Sequence, residues 1–261
     1  EKNNDKIDNK FQSDLIKRII NESLNDTAYV ISKSKPAIKK VVNTKTKIKN
    51  NKPFISIDSI KIINNIYYIV NTNQLYSGRI IDKWQNGNQK IEIRVKSGLK
   101  HGSSKEWYEN GHKKYTSAWK NNTKNGYYRE WYENAQPKIK GKYYDGKKHE
   151  TWITYYPNGQ INKQINYIDG VPSGSISIWY SNGQLKENGV FKATNQSKYN
   201  NPIYQKDGIW KHYYLNGQLK EKGLYSNGLK HAKWKQWYEN GEKKSEGDFK
   251  QNKMHGVWTF W

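Results

Sequence analysis

An Asn-Gly pair, or its equivalent, recurs along this chain at a fixed interval. The anchors are Gly87, Gly111, Ala135, Gly159, Gly183, Gly217 and Gly241, separated by 24, 24, 24, 24, 34 and 24 residues. A second register runs through Gly78, Gly102, Gly126, Glu150, Gly174, Gly208, Ala232 and Gly256 with the same period and the same single longer step. Self-similarity at this period marks an array, in which one short unit cannot bury its apolar face alone and must stack on its neighbours.

Each unit has the pattern of a β-hairpin. Aromatic and β-branched residues in Lys/Glu-rich surroundings follow the second register, as in Gly102 to Tyr108 and Gly126 to Tyr132, and suit half-buried strands. The pairs Asn110-Gly111, Asn158-Gly159, Asn182-Gly183, Asn216-Gly217 and Asn240-Gly241 then predict two-residue type I′ turns with both residues at positive φ. Ala135 is expected to keep the left-handed conformation at a cost, because it carries a Cβ. The return strand carries an apolar or aromatic residue eight positions after each anchor: Val95, Trp119, Tyr143, Tyr167, Phe191, Tyr225 and Phe249. Loops such as Asp169-Gly170 and Asn227-Gly228 lead to the next unit.

The pattern Gly-x-Trp-x-x-Trp/Tyr-Tyr-x-Asn-Gly-x-x-Lys-x-x-x-x-Tyr at Gly208 to Tyr225, with its variant at Ala232 to Phe249, resembles the variant MORN repeat of bacterial proteins, often labelled antitoxin-like. The resemblance covers residues 76 to 261. It implies an all-β, elongated, curved single-layer array of about eight stacked hairpin repeats, serving as a binding surface rather than a catalyst. Ala135, Glu150 and Ala232 replace glycines, and residues 193–203 are expected to add ten residues to one loop.

Composition favours an open array over a globule. Hydrophobic residues are 34% of the chain and mean hydropathy is −1.13, which is poor in aliphatics for one large core. The 11 Trp and 21 Tyr compensate, since they bury large rings while their polar ends reach the rim. At about 4.8 Å per strand, eight hairpins would span about 80 Å before curvature.

The beginning of the chain differs. Residues 1–52 form an arm and basic linker, with Phe11, Leu15, Ile19, Ile20 and Leu24 at helical spacing from Asp8 to Asn25 and eight lysines without an acid between 33 and 52. Residues 53–75 have strand character, turning at Asn64-Asn65, and are expected to cap the first repeat. The chain begins at Glu1 without Met, and export to a bacterial periplasm or cell surface is the expected destination, with the cytoplasm as the alternative. No apolar run approaches the ~20 residues of a membrane span. The absence of cysteine excludes disulfides and thiol chemistry.

Charge is the remaining signal: 46 basic against 23 acidic residues leave +23. Part of the excess is periodic, because the third residue after each anchor is Lys90, Lys114, Lys138, Asn162, Lys186, Lys220 and Lys244. Stacking should align these into a cationic row for the acidic face of another protein, with anionic lipid or glycan as second candidates. Neighbours about 10 Å apart repel by only about 0.4 kcal/mol in water, so a solvated row without a ligand is equally permitted. Trp107, Trp131, Trp179 and Trp237 share one register and are expected to pack as core. Nucleic acid is set aside because no recognised binding motif accompanies the charge. Periodic histidines at 101, 149, 231 and 255 are structural in this reading, and no nucleophile elbow, phosphate loop or metal-spaced pair appears. The expectation is therefore a protein-binding scaffold without catalytic residue, metal or cofactor, acting in an envelope or surface assembly. An antitoxin-like inhibitor in the cytoplasm and a peripheral module on anionic membrane are the alternatives.

Overall fold

The computed structural model describes residues 54–194 and 203–261; the arm, its helix, the basic linker and the tip of the insertion lie outside them. The strands are β1 (Ile55–Ser56), β2 (Ile60–Ile63), β3 (Ile66–Ile69), β4 (Gly78–Lys83), β5 (Gln89–Lys96), β6 (Leu99–Trp107), β7 (Lys113–Lys120), β8 (Thr123–Trp131) and β9 (Pro137–Tyr144). They continue as β10 (Lys147–Tyr155), β11 (Ile161–Ile168), β12 (Val171–Trp179), β13 (Leu185–Thr194), β14 (Ile203–Tyr213), β15 (Leu219–Ser226), β16 (Leu229–Trp237), β17 (Lys243–Lys250) and β18 (Lys253–Phe260). From β4 to β18 the strands pair in chain order within one open, curved, 16-stranded sheet, and β1 joins β4 in parallel. The pair β2–β3 is a separate hairpin. Among the described residues the only helical element is a 3-10 turn at Ile57–Ser59.

The two ends of each hairpin use different turns, and the assignment from sequence has to be exchanged. At the Asn-Gly anchors only the glycine, or Ala135 at φ 64, has positive φ; the asparagines do not. The Gly111 amide donates to the Tyr108 carbonyl and the Tyr108 amide to the His112 carbonyl, which makes a three-residue loop ending in a left-handed bulge. Six residues, as in Trp84 to Asn88, Tyr156 to Gln160 and Tyr214 to Gln218, repeat these bonds at their own anchors. The type I′ pairs sit at the opposite end, where both residues have positive φ: Ser97-Gly98, Asn121-Asn122, Asp145-Gly146, Asp169-Gly170, Asn227-Gly228 and Gln251-Asn252. Freed from positive φ, the anchor asparagine uses its side chain instead, and Asn110 Oδ1 accepts the His112 amide at 3.0 Å.

The second register marks bulges. Val95 faces Lys100 and Ile93 faces Ser104, so Arg94 stands opposite three residues centred on Gly102 at φ 92. The skip recurs beside Gly126, Glu150, Gly174 and Ala232, and Glu150 (φ 61) and Ala232 (φ 55) adopt the left-handed conformation despite a side chain. Bulges bend the strand that carries them, and one bulge per unit accounts for the curvature of the sheet. The insertion is described only at its base. There β13 and β14 stay paired out to Thr194 and Ile203, and residues 195–202 lie outside the described residues.

One face of the sheet carries the core. Cross-strand pairs and close packing trace a row through Ile80, Ile93, Ser104, Ser117, Tyr128, Gly141, Trp152, Ile165, Ile176, Gly189, Trp210, Gly223, Trp234, Gly247 and Trp258. Volume is traded along it. A tryptophan lies on each glycine of the strand before, so that a Cβ on Gly141, Gly189, Gly223 or Gly247 would fall within 2.3 Å of the indole. Where the large partner is missing the pair becomes Ile165 with Ile176, or Ile93 with Ser104. Trp210 and Trp234 are fully buried in this single layer. At the first unit β2 and β3 supply what a neighbour would: Ile60 and Tyr67 pack with Tyr76, Ile80 and Val95.

Two outcomes follow from this packing. Gly223→Ala should cost about 1–3 kcal/mol in urea denaturation, because the Trp234 ring has to move. Gly87→Ala, with open space around it but φ +86, should cost about 1 kcal/mol from backbone strain alone. Equal costs would show that the glycine–tryptophan contact is not tight. Removing the 24 residues Gly102 to Asn125 should leave a shorter folded array with one cooperative transition, whereas removing twelve of them should destroy it by breaking the register of every following pair.

Candidate binding face

The face that carries the tryptophans is the candidate for binding, and four parallel rows build it. Nearest the anchor turns stand Lys90, Lys114, Lys138, Lys186, Lys220 and Lys244. Each ammonium sits over the ring two residues before the turn asparagine: Trp84 at 5.1 Å, Tyr108 and Tyr132 at 5.9 Å, Tyr180 at 5.5 Å, Tyr214 at 5.4 Å and Tyr238 at 5.5 Å. Such contacts hold a flexible cation in place, at about 0.5–1 kcal/mol each when exposed. Among the described residues only the first three have an acid: Lys90 with Asp82 at 3.0 Å, Lys114 with Glu106 at 3.6 Å and Lys138 with Glu130 at 3.5 Å.

The next row inward mixes polar side chains with isoleucine. It runs Asp82, Ile91, Glu106, Tyr115, Glu130, Ile139, Thr154, Lys163, Ile178, Glu187, His212, Glu221, Gln236 and Ser245 through successive cross-strand pairs. In the first three units the carboxylates stand on the outgoing strand and reach the outer lysines. Beyond Lys163 they stand on the return strand and reach inward. Glu187 meets Lys206 at 3.5 Å and His212 Nδ1 at 3.2 Å, and Glu221 meets Lys230 at 2.9 Å. The His212 hydrogen bond, helped by the Lys206 charge, holds the Glu187 carboxyl below its ordinary value against the opposing effect of burial. Burial lowers Lys100 and Lys163 and pushes the Tyr115 and Tyr225 hydroxyls up to about 12.

Beyond the tryptophan row lies a second lysine row that the sequence reading missed. Lys100 stands 4.6 Å from the Trp119 centroid, Lys124 5.0 Å from Tyr143, Lys148 4.6 Å from Trp152, and Lys206 and Lys230 3.9 Å from Trp210 and Trp234. Its signal was present, since lysines 100, 124, 148 and 230 each lie thirteen residues after an anchor. These ammoniums roof the aromatic core, whose rings otherwise meet edge to face, as Tyr143 with Trp152 at 4.9 Å and Tyr225 with Trp234 at 5.1 Å.

Trp107, Trp131, Trp179 and Trp237 do not form the core; the buried register is Trp152, Trp210 and Trp234. The former four are half-buried, and three of them accept, on their carbonyls, a hydroxyl from the preceding unit: Tyr108 to Trp131 and Tyr156 to Trp179, each at 2.9 Å, and Tyr214 to Trp237 at 2.9 Å. Trp107 accepts from the Trp84 indole instead. The anchor asparagines add a second rung, with Asn158 Nδ2 donating to the Ser181 carbonyl at 2.7 Å and Asn216 Nδ2 to Glu239 at 2.9 Å. Both rungs hold the anchor turns in one line and thereby set the outer lysines at equal intervals.

The lowered Glu187 carboxyl makes a pH-dependent contribution. A carboxyl depressed in the folded state stabilises the fold above its unfolded value, near 4.5, and that stability is lost as pH falls through the folded value. Glu187→Gln should therefore melt lower than the parent at neutral pH, and the gap should close as pH falls below about 4.5. A gap that stays constant through that window would place the effect in packing.

The description "MORN repeat variant" matches this chain at residues 100–121, 149–169, 206–227 and 230–251. Comparison with curated proteins finds no match. The units between the four matches carry the same ladder bonds, as Tyr132 to the Tyr155 carbonyl and Asn134 to that of Pro157. Repeats of this kind are in general modules that bind proteins or membranes. Four family matches in register with one continuous ladder support a MORN-repeat protein.

Proposed function

We propose that the chain is a non-catalytic protein-binding scaffold whose tryptophan face receives an acidic surface of its partner. One observation carries the reading: lysines seated over aromatic rings line the tryptophan face from Lys90 to Lys244, carried forward by the tyrosine and asparagine rungs, and those that no acid pairs among the described residues offer held cations to a partner. Cations held this way have already lost part of the side-chain freedom that binding would otherwise cost. Electrostatic recognition of this kind acts mainly on the rate and specificity of association. The open sheet supplies a long surface rather than an enclosed site, as a scaffold requires. The setting proposed with it is an envelope or surface assembly of a bacterium, with the chain as an accessory subunit.

The test is affinity capture from the native cell with chemical cross-linking, carried out over a range of salt. A specific protein should be retained, its cross-links should fall on the tryptophan face, and retention should decline steeply with salt because exposed charges are screened over about 8–10 Å. Anionic vesicles that remove the chain from every protein would instead make lipid the ligand. Cross-links confined to the opposite face would reject the proposed surface.

A further inference from the structure

The ion pairs leave some lysines of the tryptophan face compensated and others not, and the division follows position. In the first half of the array the acids Asp82, Glu106 and Glu130 neutralise the outer row. Lys100 and Lys124 of the inner row then have no carboxylate within ion-pairing distance among the described residues; their contacts are with rings. In the second half Glu187 and Glu221 neutralise inner Lys206 and Lys230. Here the outer residues Lys186, Lys220 and Lys244 are the ones left with rings alone, and all three are exposed. Lys163, with no ion pair of its own, stands between the two rows where the acids change strand.

We infer that lysines 100, 124, 163, 186, 220 and 244, none of them in an ion pair among the described residues, form a diagonal track across the tryptophan face, which binds one extended acidic polypeptide segment. The inference rests on the protein-binding reading above and specifies its ligand and path. From β6 to β17 the track crosses eleven strand intervals, about 50 Å at 4.8 Å each. An extended chain rises about 3.3 Å per residue, so a carboxylate at every third residue matches the two-strand steps of about 10 Å, while the step from Lys124 to Lys163 spans three strands. Six cations outside any ion pair complement such a segment in charge. Nucleobases would need free ring faces, but Lys206 and Lys230 already lie 3.9 Å over Trp210 and Trp234. A lipid surface would engage a plane of cations rather than a diagonal line within one.

The probe is a labelled peptide of about 20 residues with Glu at every third position, titrated by fluorescence anisotropy at low salt against the full chain. Three variants carry the test. The first replaces Lys100, Lys124, Lys186, Lys220 and Lys244 with Gln. The second replaces Lys120, Lys140, Lys192, Lys211 and Lys222, which alternation puts on the opposite face, and matches the charge lost. The third removes compensated pairs without changing net charge: D82N with K90Q, E106Q with K114Q and E130Q with K138Q.

Loss of affinity by about 10-fold or more is expected for the first variant, and less than about 3-fold for the second and third. Arg in place of Lys along the track should keep parent affinity, which separates charge from folding. Equal weakening by the first two variants would overturn the track, leaving only bulk charge, and equal weakening by the third would restore the straight outer row. Displacement of the peptide by vesicles of phosphatidylcholine with phosphatidylserine, or by oligothymidylate, at lower concentration than the unlabelled peptide would overturn the polypeptide assignment. Failure of the parent to bind the peptide overturns the inference, while a cross-linked native partner on this face would still uphold the scaffold reading.

Discussion

A tyrosine hydroxyl that reaches the main-chain carbonyl of the next unit is the interaction on which the regularity of this sheet depends. Donor and acceptor are 23 residues apart at every ordinary step, and 33 apart from Tyr180 to Tyr213, where the insertion intervenes. The bond therefore measures the repeat. It also shows where extra length can go: β13 and β14 stay paired out to Thr194 and Ile203, away from the anchor turns, and the rung at 2.9 Å is unchanged. One such bond contributes about 1 kcal/mol, but an uninterrupted series holds every anchor turn in line. The asparagine beside each of the first six turns adds the second rung, at the same intervals.

A single layer has no second sheet or helix to cover its core, and this chain covers it in two ways. The first is exchange of volume between strands, tryptophan over glycine, with isoleucine against isoleucine where the tryptophan is absent. Fully buried Trp210 and Trp234 show that this suffices for the largest side chains. The second is the roof of inner lysines, whose ammoniums lie over the rings. Thus a strongly basic composition and an aromatic core are parts of one solution.

The same lysines connect stability with recognition. Two cationic rows and too few carboxylates to neutralise both leave an excess on one face, and the acids decide where that excess appears. Moving a carboxylate from the outgoing to the return strand changes which row it neutralises, because the two strands present it to opposite neighbours. The Glu187–His212–Glu221 segment gives the second half of the array a local charge pattern that the first half lacks.

Period, fold class, chain order of the strands and the outer lysine row were determined by the sequence alone, because each depends only on the spacing of residues that every copy repeats. Ala135 was legible for the same reason, since its place in the register demanded positive φ whatever the residue. Turn chemistry was not. Asn-Gly suits a type I′ pair and a three-residue loop with a left-handed glycine equally well, and the bonds to the next unit chose the second. The core register was likewise hidden, because Trp107 and Trp152 sit in equally aromatic surroundings in the sequence and only the facing glycine, eleven residues before Trp152, distinguishes them. Which lysines keep an uncompensated charge was decided by tertiary structure alone. An ion pair depends on distance across strands from different units, and a two-fold alternation of side chains along each strand leaves that distance unset until the bulges fix the register.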